Sequence, residues 1–180
     1  RATMLRLMTN TVVILSYHGT VNGEDELPGF IKNIRRGRPA PEEVIAEVAR
    51  RLNHIGGSPL RRTAEAQAAA LEARIGVPVR AAARMWHPYP SEVLAPWLEE
   101  GVQRVISVPL APQSVHIYHP GVETVLEGRA IELVRAPAWG CTEKLIGAYL
   151  GAISEAAQRF TNLDASKLAL ILSAHSLPKR

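Results

Sequence analysis

The chain carries one cysteine, Cys141, in 180 residues. That excludes an internal disulfide framework and any metal cluster built from cysteines alone. It also points to a reducing compartment, so a cytoplasmic location is expected. No apolar run approaches the ~20 residues of a membrane-spanning helix. The opening residues Arg1 to Leu7 lack the long apolar core of a secretory signal. There is no Cys-x-x-Cys, no His-Glu-x-x-His and no close run of His, Asp and Glu. A metal site must therefore be assembled in space from few ligands, which suits a metal passed on rather than kept. No repeat, low-complexity segment or internal domain boundary is visible. The net charge of +4 favours an anionic ligand. It is too small to argue for nucleic acid, and no aromatic residues interleave with the basic segments.

What is present is an alternation of short apolar runs and helical patterns. Thr11 to Ser16 is β-branched and apolar, as in a buried strand. Phe30 to Ile34 reads as a helical turn. Pro39 and Pro41 break the chain. Glu42 then opens a helix to about His54, with Val44, Ile45, Val48 and Leu52 as its apolar stripe. An alanine-rich helix runs from Pro59 to about Ile75. Strands are expected at Val79 to Met85, Gln103 to Val108 and Ala130 to Val134. Helices are expected at Ser91 to Glu100, with Ser91 as cap, and at Glu143 to Phe160. Ser114 to Tyr118 begins a weak helix that Pro120-Gly121 interrupts. Leu168 to Leu172 is an unbroken apolar run, expected as a final strand. The order predicts an α/β fold: an open parallel sheet with helices on both faces, Rossmann- or flavodoxin-like in three layers.

In such sheets ligands bind outside the carboxyl ends of the strands. Those exits carry Tyr17 and His18, Trp86 and His87, Pro109 and Pro112, Trp139, and His175. Imidazoles and aromatic rings on one edge suit a flat aromatic ligand and a transition metal. Each histidine alone reads first as a ring bonded within its turn or half-buried in the core; three at equivalent exits point to a site. Arg35, Arg36 and Arg38 form a basic knot with two readings, a carboxylate-binding fork or a solvated surface run. Gly56-Gly57-Ser58-Pro59 reads as a turn that starts a helix, with anion binding as the alternative. Cys141, near a helix start, reads as a packed small residue, with a reactive thiol as the alternative.

Several of these segments together resemble ferrochelatase, the enzyme that inserts ferrous iron into a porphyrin. They are Ser173-Ala174-His175-Ser176-Leu177-Pro178, Ile34-Arg35-Arg36-Gly37-Arg38, Gly56-Gly57-Ser58-Pro59-Leu60 with Gln67 following, Leu110-Ala111-Pro112, and Trp139. They occur in the family's order at nearly its spacing, across residues 11 to 178. The arginine segment looks like the bacterial branch that uses coproporphyrin. The resemblance implies a haem-biosynthesis lyase acting on coproporphyrin III or protoporphyrin IX. Ferrous iron is then a substrate and no organic cofactor is expected. Nucleic acid and a transmembrane segment are not expected. His175 matches the family's metal-site residue, proposed to bind iron or accept pyrrole protons. Arg35 and Ser58 match porphyrin contacts, Arg51 a second basic contact and Tyr118 a tyrosine near the cleft. His87 matches a histidine at the second strand's exit. His18 stands where that branch often has a tyrosine facing the iron, with Tyr17 one place earlier. His18-Gly19 is also similar to the opening of the smaller cobalt and sirohydrochlorin chelatases. Residues 1–10 are expected to lie outside the fold. Residues 11–180 are expected to form the N-terminal half, with an acidic partner for His175 in a C-terminal half beyond this chain. Two alternatives stand beside this reading: a half-size chelatase completed by homodimerisation, and a non-catalytic tetrapyrrole- or metal-binding module.

Overall fold

A computed structural model of the chain describes residues 10–160, 167 and 169–173. The fold starts from β1 (Thr11–Tyr17), buried along its whole length. A strand buried on both faces needs apolar residues in both registers, and Thr-Val-Val-Ile-Leu supplies them. Its neighbours are β2 (Val79–Ala83) on one side and β3 (Arg104–Pro109) on the other, with β4 (Glu132–Arg135) beyond β3. Every pairing is parallel, giving the order β2-β1-β3-β4 among the described residues. The chain steps one way from β1 to β2 and then back across to β3. Right-handed crossovers must therefore put helices on opposite faces.

The helices follow that rule. α1 (Leu27–Ile34), α2 (Glu42–His54) and α3 (Leu60–Ile75) connect β1 to β2. α3 lays Ala64 and Ala68 against Val13, Leu15 and Tyr17. Small side chains let that helix approach the sheet closely. It stops at Gly76, a left-handed residue (φ 66°) whose N–H donates to the Glu72 carbonyl at 2.9 Å. α4 (Pro90–Glu99) and α5 (His119–Leu126) cover the other face. There Val12 and Ile14 meet Leu94, Val105 and Val122. Burying Ile14 and Leu94 completely stabilises the fold by about 1.5–3 kcal/mol for each side chain. α1 and α2 build a third cluster from Leu27, Ile31, Ala49 and partly buried Trp86.

Three local expectations need correction. Ser91 does not cap α4. Tyr89 is the cap residue, and its backbone N–H donates to Glu92 Oε2 at 2.6 Å. A carboxylate three residues into the helix answers the free amide better than the serine next door. Pro120 does not interrupt a helix either. It occupies the first turn of α5, where a missing N–H costs nothing. The third correction is the final strand. Ala169 to Ser173 are exposed and outside any strand. Leu170, Ile171 and Leu172 show 65–86% of their surface to solvent.

The chain divides into two compact units, one ending at Gly140 and one beginning at Cys141. The sequence shows no composition shift at that point. The second unit contains α6 (Glu143–Ala157), which has no buried residue. Tyr149, Ile153 and Phe160 line a cavity of about 480 Å³ within that unit, together with Leu170. Among the described residues no helix is long and apolar enough to cross a membrane.

Candidate functional site

The parallel sheet delivers its strand ends to one edge, and the first side chains there are Tyr17 and His18. Alternation along β1 separates them. Tyr17 turns under α3 into the core with Ala64 and Ala68 and is 3% exposed. Its hydroxyl has no hydrogen-bond partner among the described residues, and burial pushes its pKa up. His18 lies past the strand end with its ring edge-on to Phe30, centroids 6.3 Å apart. Gly19 then turns the chain at φ 104°, a conformation open to glycine. Of the two residues, His18 is therefore the one on the open edge.

From His18 a ladder of rings continues along the edge. Phe30 meets Trp86 at 6.1 Å, Trp86 meets His87 at 5.3 Å and His87 meets Tyr89 at 4.6 Å, all edge-on. Edge-on contacts of this kind are favourable for ring quadrupoles. Polar anchors fix the ladder. Trp86 Nε1 donates to Glu26 Oε2 at 3.0 Å, and the Asn22 N–H holds the same oxygen at 2.8 Å. These bonds pull the Glu26 carboxyl below the usual range, the Asn22 amide first. Asn33 Nδ2 donates to the Tyr89 hydroxyl at 2.8 Å and to the Met85 carbonyl. His87 Nδ1 lies 2.7 Å from Glu92 Oε1, which fixes its ring. α1 contributes twice, with Phe30 in the ladder and Arg35 at its C-terminal cap.

The expected site residues fall into distinct situations. Arg35, Arg36 and Arg38 are exposed and pair with no carboxylate among the described residues. Arg36 (φ 56°) and Gly37 (φ 86°) turn the loop that carries them. Arg51 is already engaged: its Nε donates to Glu47 Oε1 at 2.7 Å, one helical turn earlier. Arg50 holds the same carboxylate, whose pKa falls to about 2 through these two hydrogen bonds. Ser58 Oγ accepts the Leu60 N–H at 3.3 Å, so it helps start α3. Tyr118 is 8% exposed, with the Arg84 guanidinium 5.9 Å from its ring centre. Cys141 is free and exposed, not packed. His175 lies outside the described residues. Among the described residues no group of three or more His, Cys, Asp and Glu could hold a metal ion.

Sequence reasoning missed Arg84 and His119. Arg84 directly follows the buried end of β2, and a charge at that place is the signal that could have found it. His119 is 6% exposed, with Nδ1 2.9 Å from Ser107 Oγ and Nε2 3.1 Å from the Ala136 carbonyl. It ties β3, α5 and the exit of β4 together. Trp139 does similar work, donating from Nε1 to the Pro109 carbonyl at 3.1 Å.

Burial lowers the His18 pKa, and the Arg84 charge lowers it further. The imidazole is thus neutral at pH 7 and offers a nitrogen lone pair. The unfolded chain takes up this proton at a higher pH than the folded chain. Stability therefore rises with pH up to the ordinary value near 6.5, and is lost as pH falls below it. His18→Asn should flatten that rise, read as denaturation midpoints across about pH 5 to 7. An unchanged slope would show that the shift is not present.

A parallel sheet of order 2-1-3-4 with helices on both faces defines a three-layer α/β protein, with aromatic and imidazole rings at the sheet's carboxyl edge. The ferrochelatase family model matches residues 10–180, and the chain belongs to that family. It is 31% identical over 172 residues to the ferrochelatase of Acidobacterium capsulatum, covering 93% of this chain and 53% of that protein. The ferrochelatase of Thermus thermophilus is 30% identical, covering 92% of this chain and 61% of the relative. The coproporphyrin III ferrochelatase of Staphylococcus epidermidis is 27% identical, covering 96% and 60%. The chain thus spans little more than half the length of the curated relatives it matches.

Proposed function

We propose that this chain forms one wall of a cleft in which ferrous iron is inserted into a porphyrin for haem synthesis. The observation that carries the reading is the ring ladder from His18 to Tyr89, flanked at and beyond the end of α1 by arginines that no described carboxylate occupies. Flat aromatic edges suit a macrocycle, and free guanidinium forks suit its propionates. The coproporphyrin III named for the Staphylococcus relative is the substrate we favour.

Insertion exchanges two pyrrole protons for one divalent cation, with no change in the oxidation state of iron. The flat ring hides its nitrogen lone pairs, so bending it exposes them. Arg35 gripping a carboxylate at the rim can hold the ring bent, at a strain of roughly 1–5 kcal/mol. Ser58 would add a hydroxyl contact and Tyr118 a phenol. Arg51 reaches the ligand by releasing Glu47. His175 accepts a pyrrole proton or presents iron, and neutral His18 faces the metal from β1. The acidic partner of His175 would come from the further length that the relatives have, or from a second copy in a homo-oligomer. The single cysteine supports a cytoplasmic setting.

The test is anaerobic insertion of ferrous iron or zinc, followed by porphyrin absorbance, in this chain and in the whole gene product. Turnover in the whole product alone is the expected result. Turnover in the short chain with a stable dimer would favour the half-size chelatase. Porphyrin bound in both without insertion would reduce the protein to a binding module. In the same assay Arg35→Ala should weaken porphyrin binding by about tenfold, the effect of one charged hydrogen-bonding pair.

A further inference from the structure

Beside the ladder, on the face covered by α4 and α5, the strand ends enclose a separate recess of about 350 Å³. Its polar wall is Ser16, Arg84, Tyr89, Ser91, Tyr118 and Thr124, and no acidic residue lines it among the described residues. Two of these groups have settled partners: the Tyr89 hydroxyl accepts from Asn33, and Thr124 Oγ1 donates to the Pro120 carbonyl. Ser16 and Arg84 are placed differently. Ser16 is 3% exposed, yet its Oγ has no hydrogen-bond partner among the described residues. Arg84 makes a long contact to Met85 Sδ and lies over the Tyr118 ring, but pairs with no carboxylate among the described residues.

A buried hydroxyl without a partner is rare, because desolvation is then uncompensated. The exposed Arg84 guanidinium lines the same recess and supplies the charge an anion needs, and its planar fork matches a carboxylate. The volume lies at the low end for a ligand pocket. It admits a carboxylate arm and not a macrocycle.

We propose that this recess is a carboxylate subsite, in which Arg84 forks onto the anion and Ser16 donates from the floor. The inference rests on the porphyrin reading above for one of its two sources, a side arm of the tetrapyrrole; the other is a free small carboxylic acid. Burial raises the Tyr118 pKa, so its phenol stays protonated and can donate as well.

The experiment uses the whole gene product as wild type, Arg84→Met, Arg84→Lys and Ser16→Ala. The probes are a tetracarboxylate porphyrin, its tetramethyl ester and sodium propionate. Arg84→Met should weaken the free-acid porphyrin by about 10- to 100-fold and leave the ester unchanged. Arg84→Lys should recover part of the loss, since charge returns without the fork. Ser16→Ala should weaken the free acid by several-fold, as one neutral hydrogen bond does. That pattern identifies the tetrapyrrole arm. A rise in melting temperature with propionate that Arg84→Met abolishes, with porphyrin affinity unmoved, identifies a free acid in the same subsite. Equal porphyrin affinity in every variant, with no propionate effect, overturns the proposal. Failure of the wild type to bind either porphyrin overturns the functional reading and leaves the propionate arm to decide the subsite.

Discussion

His175→Ala in the whole gene product should lower iron insertion by about two to four decades while porphyrin still binds, the usual contribution of a positioned proton acceptor. The residue is assigned through the segment Ser173 to Pro178 and its family resemblance. The other histidines are consistent with that assignment. His119 has a partner at each ring nitrogen, and His87 is held through Nδ1 by Glu92. His54 and His116 are exposed at the C-terminal turns of other elements. His18 is the remaining neutral imidazole on the edge. The paired variant His18→Ala therefore belongs in the same experiment. Wild-type turnover in His175→Ala would remove that residue from the mechanism. A large loss in His18→Ala alone would transfer the proton-accepting role to β1. Binding is read separately by the porphyrin absorbance shift, so a folding defect is not mistaken for lost chemistry.

Gly19→Val should destabilise the fold by at least about 1–3 kcal/mol, the cost of holding a side chain in a sparsely populated backbone region. The backbone at φ 104° already disfavours any side chain. A Cβ there would also meet the Trp86 backbone nitrogen at 3.0 Å and Ala83 Cβ at 3.3 Å. Neither neighbour is the far end of a flexible side chain, so the strand exits themselves must part. Because Met85 N donates to the His18 carbonyl at 2.9 Å, parting them separates His18 from Trp86 and its neighbours. Porphyrin binding should therefore fall with stability. A urea midpoint equal to wild type would show that the turn is more adaptable than its geometry indicates.

The parallel sheet was legible because β1, β2 and β3 are short apolar runs between helical patterns, and parallel strands must be buried on both faces. The edge was legible for the same reason. Which of Tyr17 and His18 faces it was not. The answer depends on the register of β1 against α3, which no local pattern encodes. The apolar run misled because a strand is defined by its neighbours and not by composition: Ala169 to Leu172 lie outside any strand, however well they suit a sheet. Arg84 was hidden in a different way. Its meaning comes from Ser16 and Tyr118, 68 and 34 positions away in the chain, and from the hydrogen-bond partner that Ser16 lacks among the described residues. Charge counting along the sequence cannot see an absent partner.

The approach of Gly29 to Trp86 has a mechanical consequence. A methyl group on Gly29 would stand 2.7 Å from the indole, so α1 and the ring leave no room for a side chain between them. Glu26 also holds the indole nitrogen, which ties the ring to the start of the helix that Arg35 ends. A grip and the surface it presses against act as springs in series with whatever lies between them. In such an arrangement the most compliant member takes most of the deformation. Under the proposed function, a stiff coupling of α1 to the β2 exit would make the bound ring, not the protein, the part that bends.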